Sequence, residues 1–153
     1  MKNNEQVIKR QRFLSSISHE FYDSNGDGIG DLQGIIEKLP YIKWLGVNAI
    51  WLNPFYASPF MDGGYDVSDY YKVNEKFGNM SDFEELVKKC HNLGVKIVID
   101  LVIGHTSDQH PWFLESVKDE KTNIAIGLYG RTVILINFPI RAYTAYILVT
   151  VVI

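Results

Sequence analysis

A single cysteine, Cys90, leaves this 153-residue chain without any disulfide framework. It lies in the charged, helix-like stretch SDFEELVKKCHNLG and is expected to be a semi-buried structural thiol, not a nucleophile. The net charge is only -3 and no basic run is long enough to suggest a nucleic-acid partner, so none is expected. The basic N-terminus MKNNEQVIKRQRF has no apolar segment behind it, so no signal peptide is read and a cytoplasmic location follows by default. The one long apolar stretch, TVILINFPIRAYTAYILVTVVI, approaches the roughly 20 residues of a membrane span. Arg141 at its centre, with Asn137 and Pro139 nearby, would be costly in lipid, so no membrane partner is expected. Its β-branched content and lack of acids point to an aggregation-prone, β-rich tail.

What is present divides into three zones. Residues 1–21 are polar and basic without a clear period, residues 22–123 alternate cleanly between elements, and residues 124–153 are crowded with Ile, Val, Thr and Tyr. In the middle zone Leu32, Ile35, Ile36, Leu39, Ile42 and Leu45 fall at helical spacing, and Gly46 is placed to end that helix. Residues 48–52 form a short apolar run, a buried strand ended by Pro54, and a long loop with Gly63 and Gly64 follows. Ser81, with Glu84 three residues on, predicts the capping box of a second helix, which Gly94 ends. Residues 95–102, VKIVIDLV, read as a second buried strand.

Helix, strand, loop, helix and strand at this spacing is an α/β pattern with a parallel sheet. Neither strand is followed by a glycine-rich phosphate fingerprint, so nothing argues for a nucleotide fold. At 46% hydrophobic the chain can bury a modest core, and 13% aromatic residues suit a neutral polar ligand such as a sugar, among other things.

Three stretches carry candidate chemistry. In DSNGDGIGD, side-chain oxygens alternate at Asp23, Asn25 and Asp27; Gly28 allows a sharp turn, Ile29 offers a carbonyl, and Asp31 adds a further oxygen. That is the ligand spacing of a calcium loop, although the twelfth position is Gly34 where an EF-hand has a bidentate Glu, and no helix precedes the loop. An Asx-rich turn without a metal is the alternative. In the loop after the first strand, Asp62 can accept hydroxyl hydrogen bonds and Tyr65 can stack on a pyranose face; a glycine-kinked surface turn is the alternative. Asp100 and His105 close the second strand, where an ionisable pair points to a site, or else to a capping Asp and a satisfied His. His91 and His110 are expected at the surface.

The runs FYDSNGDGIGDLQGIIEKLPYIKWLGVNAIWLNPFY, GGYDVSDYY and VKIVIDLVIGHTSDQHPWF resemble, in that order, glycoside hydrolase family 13, the α-amylase family. The resemblance spans about 100 residues and is greatest to the oligo-1,6-glucosidase, α-glucosidase and trehalose synthase branch. It implies a partial (β/α)8 TIM barrel, about strands 2–3 with their helices, since a complete barrel takes roughly 250 residues. It implies that Asp23, Asn25, Asp27, the Ile29 carbonyl and Asp31 hold a structural Ca2+, and that Asp62, Tyr65, Asp100 and His105 contact one sugar ring. Gly104 departs from the Asn the family usually carries before this His, and a glycine cannot brace the loop as Asn would.

The implied activity is that of a retaining glycoside hydrolase acting on an α-glucan or α-glucoside oligosaccharide. Such chemistry needs a nucleophile and an acid/base about 5 Å apart. The family's motifs for both are absent after Asn123, so the chain is expected to be inactive alone and marginally stable, with open sheet edges. A non-catalytic calcium- or sugar-binding module, or a non-functional unstable product, are the other expectations. Synonymous codons exist that make Phe13 to Phe21 and Asn123 to Thr132 read as sequence resembling the family in shifted frames. Residues 1–21 and 124–153 are therefore expected to be frameshifted around an in-frame core, 22–123.

Overall fold

The computed structural model describes residues 12–14, 20–118 and 149–152. Most of the flanks expected to be frameshifted lie outside the described residues. The elements run β1 (Phe13–Leu14), α1 (Leu32–Trp44), β2 (Ala49–Leu52), β3 (Tyr56–Ala57), β4 (Asp69–Val73), α2 (Met80–Leu93), β5 (Lys96–Leu101), α3 (Pro111–Ser116) and β6 (Val149–Val152).

Helix α1 follows the predicted apolar period. Leu32, Ile35, Ile36, Leu39 and Ile42 are buried along one side. Asp31 caps its start by accepting from the Gly34 amide, and beyond Leu45 the chain turns at Gly46 with φ 79°. Helix α2 forms as predicted but is capped two residues earlier than expected. The Asn79 side chain accepts from the Asp82 amide at 3.2 Å, and the Asp82 carboxylate accepts from the Asn79 amide at 2.8 Å. This is a full capping box, with Ser81 already inside the first turn. The residue before it, Gly78, has φ 122°, so the chain bends there. Gly94, with φ 64°, closes the helix as expected.

The two predicted strands, β2 and β5, pair in parallel with Ala49 opposite Lys96 and Trp51 opposite Val98. β1 joins β2 in parallel on the other side, and β6 runs antiparallel to β5, giving the order β1-β2-β5-β6. The stretch read from sequence as one long loop contains a small antiparallel hairpin of β3 and β4. Along β4 Tyr70 and Val73 are buried and the two residues between them, Tyr71 and Lys72, are exposed, so the strand shows no period-two signal.

Period two divides the parallel sheet into two faces. Ile50, Leu52, Ile97 and Ile99 join Ile35, Leu39 and Ile42 of α1 and Leu86 of α2 in one apolar core. Ala49, Trp51, Val98 and Asp100 alternate with them and lie on the opposite face. Cys90 is fully buried in the same core, and burial pushes its thiol up to about 12, so the expected structural role stands and the burial is more complete than expected.

His110 overturns its expectation as a surface residue. It is 5% exposed, and its Nδ1 accepts from the Trp112 amide at 3.0 Å as the cap of α3. Its ring lies 4.4 Å from that of Trp112 and 5.5 Å from that of Tyr70. Burial holds it below the usual histidine value, against the opposing charge of Asp69. His91 is exposed, as expected.

Gly34 gives the sharpest test of this packing. A Cβ there would meet the carbonyl carbon of Tyr22 at 2.8 Å, and that carbonyl already accepts from the Asp31 amide at 3.1 Å. Alanine is the better helix former by about 1 kcal/mol, yet overpacking against backbone costs about 1–3 kcal/mol. Gly34→Ala is therefore expected to lower the urea midpoint; an unchanged or raised midpoint would contradict the close approach.

Candidate functional site

Parallel strands deliver their side chains to a site at their carboxyl ends. Here β5 ends at Leu101, one residue beyond Asp100, and the chain continues to an exposed His105. The hairpin of β3 and β4 lies over this end and is fastened to it by two phenols. Tyr56 donates to the Asp100 carbonyl at 3.0 Å. Tyr70 donates to the carbonyls of Val102 at 2.6 Å and His105 at 3.2 Å. Burial raises the pKa of both phenols, Tyr70 up to about 12, so each remains a donor across the ordinary pH range.

The loop between the hairpin strands carries Asp62 and Tyr65. Its shape is set by Asp66, whose carboxylate accepts from the Ser58 hydroxyl at 2.6 Å and the Met61 amide at 2.8 Å. Ser58 in turn accepts from the Phe60 amide at 2.8 Å. Phe60 takes φ 64°, a region unfavourable to a residue with a Cβ. Its ring is held edge-on to Phe77, 5.8 Å between centroids, with the Lys76 ammonium 4.7 Å above it. Gly63 and Gly64, with φ 59° and 97°, then turn the chain so that the Tyr65 amide donates to the Asp62 carbonyl.

These constraints bring three of the four candidate sugar contacts into one electrostatic group. Tyr65 Oη donates to Asp100 Oδ2 at 3.0 Å. Burial, that hydrogen bond, and the charges of Asp100 and Asp62 all raise the pKa of the Tyr65 phenol. Asp62 is exposed at the loop tip. His105 stays outside this group: its carbonyl accepts from Tyr70 and its side chain is exposed. Sequence reasoning missed Trp51, whose Nε1 donates to Asp100 Oδ1 at 2.7 Å. Alternation along β2 and β5 was the signal that could have found it, because it puts Trp51 and Asp100 on one sheet face.

The loop from Asp23 to Asp31 curls on its own backbone. Asp23 Oδ1 accepts from the amides of Asn25, Gly26 and Asp27, and Oδ2 accepts from Gly28 at 2.7 Å. The Gly28 amide lowers the pKa of the Asp23 carboxyl most; burial opposes it, and the amides of Gly26, Asp27 and Asn25 add to the lowering. Asn25 Oδ1 accepts from the Asp27 amide, and Asp27 Oδ1 from the Ile29 amide. Asp31 is 5% exposed and accepts from Ser24 Oγ at 2.8 Å as well as from the Gly34 amide. Among the described residues no three His, Cys, Asp or Glu side chains form a metal-holding group. A hard cation in this loop would therefore draw on the Asn25 amide oxygen and the Ile29 carbonyl besides carboxylates. The EF-hand glutamate has no room at the twelfth position, because Gly34 abuts the Tyr22 carbonyl.

A parallel β/α unit with a polar, aromatic group at the carboxyl end of a strand defines a class of proteins that build their sites from strand-end loops. Within that class the chain belongs to the α-amylase family, glycoside hydrolase family 13: the profile of the alpha amylase catalytic domain matches residues 17–126. The chain is 56% identical over 109 residues to the trehalose synthase/amylase TreS of Mycolicibacterium smegmatis, covering 71% of this chain and 18% of that one. It is 56% identical over 100 residues to an oligo-1,6-glucosidase of Parageobacillus thermoglucosidasius, covering 65% and 18%. The crystal structure of Bacillus licheniformis trehalose-6-phosphate hydrolase superposes with a TM-score of 0.74 at 45% identity, covering 76% of this chain and 21% of that one. A MutB mutant in complex with its substrate sucrose superposes with a TM-score of 0.73 at 45% identity, covering 76% and 21%. The chain thus spans about a fifth of the length of these relatives. No helix among the described residues is long and apolar enough to cross a membrane.

Loop shape at this site should depend on pH through Asp66. Partial burial pushes its carboxyl up, but the Ser58 hydroxyl and the amides of Met61, Asp66 and Asp62 more than offset this, so its pKa is lowered. A lowered folded-state pKa contributes stability that is fully present above the unfolded carboxylate value and is lost as pH falls through the folded one. The Phe60 and Met61 amide resonances are therefore expected to hold steady from neutral pH into the ordinary carboxylate range and to move only below it. Asp66→Asn should abolish that acid transition; a transition that survives the substitution would remove Asp66 as its cause.

Proposed function

We propose that this chain is a segment of a retaining glycoside hydrolase of the α-glucosidase and amylase type, acting on α-glucans or α-glucoside oligosaccharides in carbohydrate metabolism. It would form about strands 2–3 of a (β/α)8 barrel, with their helices. Asp62, Tyr65, Asp100 and His105 would hold one glucosyl ring, with Tyr65 beneath its face and the two carboxylates and the imidazole at its hydroxyls. The observation that carries this reading is the hydrogen bond between Tyr65 and Asp100, which joins the glycine-kinked loop to the strand end at 3.0 Å.

The segment would bind and orient sugar without cleaving it. A retaining reaction takes a nucleophile and an acid/base about 5 Å apart. Asp100 has a donor on each carboxylate oxygen, Trp51 on one and Tyr65 on the other, which suits a group that orients a substrate better than one that attacks it. For the loop, the alternating oxygens of Asp23, Asn25 and Asp27, the Ile29 carbonyl and Asp31 support a structural Ca2+, because an all-oxygen donor set suits a hard cation. The ion would neutralise acidic groups and stiffen the entry to α1; no part of the sugar chemistry is assigned to it.

Millimolar methyl α-glucoside added to the isotope-labelled full chain is expected to shift the amides of Gly64, Tyr65, Leu101 and His105, with no turnover of nitrophenyl α-glucoside. Absence of any sugar-dependent shift would refute the binding reading, and measurable hydrolysis would refute the claim that the chain does not cleave. Calcium should raise the melting temperature, by the equivalent of about 2.7 kcal/mol at a hundred times its dissociation constant. Asp27→Ala should remove that response, and a melt indifferent to calcium and chelator would dispose of the cation.

A further inference from the structure

Two donors hold the Asp100 carboxylate, and they differ in what carries them. Trp51 stands in the middle of β2, paired in parallel on one side with β5 and on the other, at Ile50 next to it, with β1. An indole N–H has no hydroxyl rotor, so its direction is set once the ring is packed. The register places Trp51 opposite Val98, and Asp100 is the next residue of β5 on the same face. The 2.7 Å contact from Nε1 to Oδ1 follows from this placement. Tyr65, by contrast, is 41% exposed, sits on the loop behind Gly63 and Gly64, and reaches Oδ2 through a phenol. One oxygen of Asp100 is thus tied to the sheet, and the other is tied to a partly exposed ring.

We propose that Trp51 is the positioning residue of this site: its indole N–H fixes the Asp100 carboxylate so that Oδ2 faces the loop, where a sugar hydroxyl takes the place of the Tyr65 phenol. The inference rests on the sugar-binding reading above and assigns Trp51 no contact with the sugar. It gives the two donors opposite consequences. Losing the indole donor frees the carboxylate to rotate, whereas losing the phenol donor removes a competitor for Oδ2.

The test uses the full chain and methyl α-glucoside as probe. Trp51→Phe keeps an aromatic body without the N–H and is expected to weaken binding about tenfold, as suits loss of one charge-assisted hydrogen bond. Tyr65→Phe keeps the stacking ring and is expected to bind at least as tightly as the native chain. The second readout needs no change at position 51. In the native chain the Trp51 indole proton resonance should shift on saturation with the sugar, and with Asp100→Asn, while those of Trp44 and Trp112 stay in place. If Trp51→Phe folds and binds with native affinity, the positioning role is wrong. Should that variant fail to fold, an indole resonance indifferent to both sugar and Asp100→Asn overturns the proposal. A native chain that binds no glucoside, yet whose Trp51 resonance responds to Asp100→Asn, overturns the sugar reading and the sugar-positioning role while leaving the hydrogen bond established.

Discussion

Four consecutive residue pairs join β2 to β5 in parallel, and the geometry of the rest is tied to that register. It sets which side chains face the helices and which face away. Ile50 and Leu52 meet α1 and α2 in concert with Ile97 and Ile99, while Trp51 and Asp100 come together on the other side. A slip of one residue would exchange the two faces of one strand. It would turn an acid into the apolar core and separate the indole from the carboxylate. Packing and site geometry are therefore two readings of a single pairing, and the apolar core is what makes any other register costly.

The hairpin adds what parallel strands alone lack. Strand ends can present Asp100 and His105, but nothing in the sheet brings Asp62 and Tyr65 to them. The phenols of Tyr56 and Tyr70 do so by reaching backbone carbonyls, which leaves the site side chains free for other partners. Aromatic packing keeps the phenols in place, since Phe55 stacks between Tyr56 at 4.9 Å and Phe83 of α2 at 4.8 Å. An element too small to be stable alone is thereby held as part of the larger core.

Much of this arrangement was legible in the residues. The α1 period, its glycine stop, both parallel strands and the positions of Asp100 and Tyr65 at strand end and loop follow from local pattern. What failed was either too short or too evenly split between neighbouring candidates to read locally, or depended on contacts distant in the chain. The capping box lies at Asn79 and Asp82 instead of Ser81 and Glu84, two candidate pairs with the same three-residue spacing two positions apart. His110 reads as polar and exposed in a string of letters, yet Tyr70, forty residues earlier, gives its ring a buried neighbour. The hairpin was missed because β3 is only two residues long. Trp51 was passed over for a similar reason: in a run of four apolar residues nothing local marks the one whose polar atom finds a partner in the next strand.

Cys90 has the further property of being the chain's lone thiol. Enclosed beside Leu86 in the apolar core and held far from its thiolate form, it is inaccessible to a labelling reagent as long as α2 stays on the sheet. Local fraying of the loops around Tyr65 or Asp27 would leave it untouched. The rate at which an added disulfide reagent reaches it is therefore a clock for opening of the helix–sheet layer, separate from the motions of the site and readable without any engineered probe.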